Sequence, residues 1–132
     1  MLGQTQAFSG FSVDDLDRAR RFYGETLGLD VEESGQGDMR MLTLKIGGGA
    51  RVLVYPKDNH TAATFTILNF PVDDIDEAVT WLERRGVSLQ RYPGFEQDDK
   101  GVVRGGGGDD GPAAIAWFTD PAGNVLSVIQ EN

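Results

Sequence analysis

The chain has no cysteine, so disulfides, thiol nucleophiles and thiolate metal sites are excluded together. It has a single histidine, His60, which leaves no combination of histidines to ligate a metal and offers little for acid–base chemistry. Lys and Arg number 12 against 21 Asp and Glu, a net charge of −9. That balance speaks against nucleic acid, whose phosphates reward clustered basic residues, and against an anionic membrane surface. Nowhere does an apolar run approach the roughly 20 residues needed to span a bilayer. The start, Met1-Leu-Gly-Gln-Thr-Gln, shows no basic segment followed by an apolar one, so a cytoplasmic location is expected.

What is present is ordinary in bulk and unusual in order. At 132 residues, with 39% hydrophobic and 25% charged, the composition is that of one soluble domain with room for a core. The stretch Phe11-Ser-Val-Asp-Asp-Leu-Asp17 returns fifty-nine residues later as Phe70-Pro-Val-Asp-Asp-Ile-Asp76. Beyond it, Ala19 answers Ala78, Phe22 answers Trp81, and helix-ending glycines follow at Gly28 and Gly86. A fixed offset held this long implies one supersecondary unit used twice.

Residues 6–13 read as a strand with Phe8, Gly10 and Ser12 on one face, and Phe11 and Val13 on the other. Asp14 or Asp15 then caps a helix whose stripe is Leu16, Ala19, Tyr23 and Leu27. Strands are expected at 29–33, 39–46 and 51–55, the last two as a hairpin around Gly47-Gly-Gly49. The polar linker 56–61 carries His60, read as a surface residue. The second unit repeats the plan: strand 63–72, a helix with Ile75, Ala78, Val79 and Leu82 inward, then strands 87–91, 113–118 and 125–130. Residues 92–112, rich in Gly, Asp and Pro, are expected to be a mobile loop with a short strand near Val102–Arg104. A phosphate cradle at Gly105-Gly-Gly-Gly108 is disfavoured, since no GK[ST] follows and Asp109-Asp110 would repel phosphate. The expectation is one α+β domain over 1–132, built of two tandem βαβββ modules, about 6–56 and 63–130, whose partly open mixed sheet curves around a cleft.

With these two units, the helix opening Phe11-Ser-Val-Asp-Asp-Leu with Tyr23 and Leu27-Gly28, and Trp117-Phe-Thr-Asp-Pro-Ala-Gly-Asn124 before the final strand, the chain resembles the vicinal oxygen chelate superfamily of glyoxalases, bleomycin resistance proteins and extradiol dioxygenases. The resemblance implies a divalent metal held by His or Glu from four strands. Those positions fall on Phe8, on Val52 or Val54, on Ile67 and on Ser127. A divalent ion needs several O or N donors at about 2.0–2.6 Å, and these side chains offer one hydroxyl. Strands 6–13, 51–55, 63–70 and 125–130 contain no His, Asp or Glu, so a shifted register does not help. No metal and no cofactor are expected. No catalytic residue is assigned: His60, Glu96, Asp98 and Asp99 are the titratable groups near the expected cleft, all on loops.

Strand parity predicts a mostly apolar cleft wall including Phe8, Ser12, Val54, Ile67, Asn69 and Ser127, with Trp117, Tyr92 and Phe95 adding stacking surface. Three readings remain open. One is a metal-independent protein that sequesters a small apolar or aromatic molecule, similar to the family's drug-resistance proteins. The second is a glyoxalase-like lyase or isomerase, or a dioxygenase-like enzyme, with an atypical site. The third is a regulatory or partner-binding module. The resemblance further implies a homodimer.

Overall fold

The computed structural model describes residues 1–105 and 113–131, and the chain divides into two compact units, Met1–Ala62 and Ala63–Asn132. The expected glycine run and Asp109-Asp110 lie mostly in 106–112, outside the described residues.

The first unit runs β1 (Ser9–Val13), α1 (Leu16–Arg21), β2 (Asp30–Ser34), β3 (Met41–Ile46) and β4 (Ala50–Pro56). Its sheet has the order β1-β4-β3-β2, with β1 parallel to β4 and the other pairs antiparallel. Asp15 caps α1, its carboxylate accepting the Arg18 N–H at 3.0 Å. After Arg21 the helix widens into a π turn over Phe22–Thr26, with the Leu27 N–H donating to Phe22 O at 2.8 Å. The widened turn keeps Tyr23 and Leu27 on the stripe begun by Leu16 and Ala19, and all four are buried. Gly28 ends the helix at φ 75°, where a side chain would be strained.

The second unit runs β5 (Thr66–Pro71), α2 (Ile75–Arg84), β6 (Val103–Arg104), β7 (Ala114–Thr119) and β8 (Val125–Gln130), in the order β5-β8-β7-β6. Again the outer pair β5–β8 is parallel. Asp74 caps α2 by accepting from the N–H groups of Asp76 and Glu77, and the Ile75 N–H donates to the Gln130 side chain at 2.9 Å, tying the helix to β8. Ile75, Val79 and Leu82 are buried, and Ala78 is half-buried at the stripe's margin. The phrase Asp120-Pro-Ala-Gly-Asn124 makes the β7–β8 turn. Buried Asp120 accepts from the N–H groups of Ala122 and Asn124, both at 2.9 Å, and from the Asn124 amide at 3.0 Å, while Gly123 takes φ 87°. Those residues are spent on the turn, not on chemistry.

Three expectations are corrected. Residues 87–91 form no strand; the Gln90 N–H donates to Trp117 O at 2.8 Å, and the short β6 at Val103–Arg104 takes the edge instead. Residues 92–105 are not loosely held. The Gln97 side chain donates to Gln90 O at 2.9 Å and Gly101 O at 2.7 Å, and accepts the Tyr92 N–H at 2.8 Å. The Asp98 carboxylate accepts from the N–H groups of Lys100 and Val102 and from Arg104, which also reaches Asp76 on α2. Val102 anchors the segment as a buried residue.

The third correction concerns Val54. Its Cα pairs with that of Phe11, and the alternation Phe11, Val13, Leu42, Leu44, Val52, Val54 is the buried face under α1. Val54 is fully buried there, so it belongs to the core and not to the open face. The residues of β4 beside Gly10 and Ser12 are Leu53 and Tyr55. Replacing Val54 with Ala should therefore lower unfolding free energy by roughly 1–3 kcal/mol in denaturant titrations, through the cavity left behind. Ligand affinity of the folded fraction should stay unchanged.

Candidate functional site

Each sheet has one face covered by its helix and one open. On the first sheet the open face holds Phe8, Gly10 and Ser12 from β1 and its N-terminal approach, beside Arg51, Leu53 and Tyr55 of β4. Gly10 is required for packing: a Cβ there would lie 3.1 Å from the Leu53 carbonyl oxygen and 3.3 Å from its Cβ. Phe8 is half-exposed, with the Arg51 guanidinium 4.2 Å above its ring centroid.

Ser12 has a partner that its spacing in the chain did not suggest. The β4 strand runs parallel to β1, the Lys57 N–H donates to Val13 O, and a turn closed by the His60 N–H on Lys57 O brings His60 back over β1. Ser12 Oγ and His60 Nδ1 are 2.7 Å apart, and both residues are half-buried. His60 is thus an anchored residue, not a plain surface one. No pattern local to either residue foretells a contact that long-range strand pairing creates.

On the second sheet the open face carries Asn69, Trp117, Ser127 and Ile129. Asn69 pairs with Ser127, and Ser127 with Trp117, so the three stand in one row across β5, β8 and β7. The Ser127 hydroxyl donates to Asn69 Oδ1 at 2.5 Å and is wholly buried, whereas Asn69 is exposed. Trp117 carries an aromatic cluster: Tyr92 lies edge-on with centroids 5.5 Å apart, and Phe95 lies tilted at 5.2 Å. Burial raises the Tyr92 pKa above its usual 10.0, so the phenol stays neutral across the physiological range. Phe95 remains 55% exposed.

A register shift between Thr66 and Leu68 alters the place of Ile67. Thr66 takes the position opposite Val125, and its hydroxyl accepts the Trp117 indole N–H at 3.2 Å, while Ile67 sits half-buried at the bulge. Thr66 is therefore a member of this face that parity alone missed; a bulge has no signature in the run Thr66-Ile-Leu-Asn-Phe. Of the sequence-predicted residues, the second module gathers Asn69, Ser127, Trp117, Tyr92 and Phe95. The first holds Phe8 and Ser12 on its open face, and Val54 is excluded.

The donor chemistry does not fit the family's metal. Phe8 and Ile67 have no ligating atom, the β4 positions on the open face are Arg51, Leu53 and Tyr55, and the Ser127 hydroxyl is committed to Asn69. Among the described residues, no group of three or more His, Asp or Glu could hold a metal ion. No helix among them is long and apolar enough to cross a membrane.

The profile described as Glyoxalase/Bleomycin resistance protein/Dioxygenase superfamily matches residues 5–128. The chain belongs to this superfamily. Solved structures similar to it include a glyoxalase/bleomycin resistance protein/dioxygenase superfamily member from Sphaerobacter thermophilus, at 26% identity and TM-score 0.68 over 96% of this chain and 98% of that one. A glyoxalase/bleomycin resistance protein from Streptomyces sp. CB03234 is 25% identical, with TM-score 0.61 over 94% and 100% of the two chains. TnmS3, an antibiotic binding protein from the same Streptomyces, shares the fold at 23% identity and TM-score 0.68, covering 98% of each. No curated protein matches the chain. This superfamily member thus has two four-stranded modules of the same strand order, the first strand of each lying parallel to the last.

The loop bearing Tyr92 and Phe95 is held partly by the Asp98 carboxylate. Burial tends to raise its pKa, but the backbone N–H of Val102, Arg104 and the N–H of Lys100 outweigh this and hold it below the usual 3.8. A depressed carboxylate contributes stability above its unfolded value and loses it as pH falls through the folded one. Ring contacts between Phe95 and Trp117, followed by NMR, should persist from pH 8 to 5 and weaken only below about 3.8. Replacing Asp98 with Asn should weaken them at neutral pH.

Proposed function

We propose that the chain is a metal-independent small-molecule binding protein that sequesters an apolar or aromatic compound. The observation that carries this reading is the open face of the second module. Trp117 packs there against Tyr92 and Phe95, with Phe95 exposed and the Asn69 amide in the same row on the far side of Ser127. Aromatic rings supply stacking area, and a few polar groups fix orientation, which is how small-ligand sites are commonly built. Trp117 is held by Thr66 and by its ring neighbours, so a flat ligand would meet a surface already in place. The description of TnmS3 as antibiotic-binding agrees with the reading, but at that identity its likeness speaks for the fold, and the argument rests on this chain's residues.

The test is a melting-temperature screen with neutral planar compounds, followed by calorimetric titration of the compounds that raise it. A ligand at a hundred times its Kd adds about 2.7 kcal/mol to stability, a shift of several degrees. Trp117→Ala should weaken binding at least about tenfold, since truncating a well-packed aromatic anchor costs on the order of 2 kcal/mol. Chelator and added divalent ions should leave both signals unchanged; a melting temperature that rises with a stoichiometric divalent ion would sink the metal-independent reading.

A second reading, an enzyme of the lyase, isomerase or dioxygenase kind with an atypical site, draws on the Ser12–His60 pair. A histidine held at 2.7 Å from a hydroxyl is a group of the type used for proton transfer. Under this reading His60→Ala would abolish turnover of a bound compound, whereas under the binding reading it leaves the compound intact and held. A homodimer is part of the proposal, and native mass spectrometry reads subunit count, metal and any co-purified compound in one experiment.

A further inference from the structure

We propose that Arg51, seated on Phe8, makes the open face of the first module a recognition point for aromatic or planar ligands that carry a carboxylate or similar anionic group. The inference rests on the binding reading above and adds the charge of the ligand. It begins with a disagreement between the family's chemistry and this chain's residues. Phe8 stands where the family's first ligand would be, and one step before the Ser9–Val52 pair the register puts Arg51 beside it on the same face. The guanidinium lies 4.2 Å from the Phe8 centroid. A fixed organic cation therefore takes the side of the face where a metal would need donors.

The stack leaves the N–H groups of Arg51 unspent. A cation–π contact uses the face of the guanidinium, whereas its five donors lie in its plane and point outward. The Arg51 side chain makes no hydrogen bond or ion pair among the described residues, its contact being the Phe8 ring. Its cross-strand partner is another cation, Lys45, and like charges directly opposed across two strands are unfavourable. Lys45 resolves its side of this by pairing with Glu32 at 2.8 Å, which raises the lysine pKa and lowers that of Glu32. Arg51 has no such neighbour.

Between them lies a depression of about 350 Å³, lined also by Thr43, Gly49 and Ala50. Its charged lining groups are Glu32, Lys45 and Arg51; Lys45 has carboxylates in Glu32 and its cross-strand partner Asp30, so the Arg51 guanidinium is the charge in the depression that no carboxylate pairs. A planar fork of N–H donors is matched to a carboxylate, which it binds bidentately and more strongly than it binds a neutral acceptor. Ile46 also lines the depression, and the Phe8 ring lies against the guanidinium, so apolar contact of the kind an aryl acid needs adjoins the charge.

The test compares 2-naphthoate with its neutral isostere 2-naphthamide on the full-length, ¹⁵N-labelled protein. The expected result is that naphthoate shifts the Phe8 and Arg51 backbone amides and the Arg51 Nε–H, and binds about tenfold more tightly than the amide. Arg51→Gln should remove that preference, so that naphthoate binds no more tightly than naphthamide, with the amides of the second module unshifted, and Arg51→Lys should restore only part of it. Equal affinity for acid and amide, or shifts confined to the Trp117 indole and the second module, would overturn the proposal while leaving the binding reading intact. No response to either compound, together with a failed neutral-compound screen, would overturn both.

Discussion

Everything described for this molecule depends on one arrangement made twice: the first strand of each module lies parallel to the last. Parallel neighbours cannot be joined by a tight turn, so the chain must cross over, and the crossover is where each helix sits. The register of that pair then decides which alternate residues meet the helix. Phe11 beside Val54 and Phe70 beside Val128 put the apolar sets of both strands under their helix. The opposite parity is freed for Phe8, Ser12 and Tyr55 in one module and for Asn69, Ser127 and Trp117 in the other.

The two open faces have diverged in chemistry while the covered faces have not. Under α1 and α2 both sheets bury aliphatic side chains of similar kind. Outside, the first sheet shows a guanidinium on a ring, a Ser–His contact and a lysine–glutamate pair. The second shows an indole with two further rings and an Asn–Ser hydrogen bond. A duplicated unit whose core must be kept in both copies has only its open face free to specialise, and that is where the copies differ.

Much of the architecture was legible because it is written locally. The Val-Asp-Asp helix openings, the helix-ending glycines and the Asp120–Asn124 turn each satisfy backbone groups within a few residues, so their spacing carries their meaning. The aromatic cluster was legible as residue types, and Trp117 with Tyr92 and Phe95 did come together. The fourth strand was not: Val52, Leu53 and Val54 are three apolar residues in a row, so alternation cannot say which faces the helix, and pairing with Phe11 decided it. Thr66 escaped notice because a bulge is a property of two strands. The pairs Phe8–Arg51 and Ser12–His60 join residues more than forty positions apart and exist only once β1 lies on β4. Glycine and aspartate in 92–105 suggested slackness, whereas Gln97 and Asp98 use their side chains to satisfy that backbone.

The two anchors of that segment differ in kind. Gln97 holds its end through neutral amide hydrogen bonds to three backbone groups. The far end is held by Arg104 between Asp98 and Asp76, with Arg104 and Asp76 exposed and Asp98 half-buried. Dissolved ions screen exposed charges over about 10 Å at 0.1 M and hardly touch a neutral amide contact. Ionic strength therefore acts on one end of the segment only: in concentrated salt the Arg104 end loosens from α2, while the end carrying Tyr92 stays fixed beside Trp117.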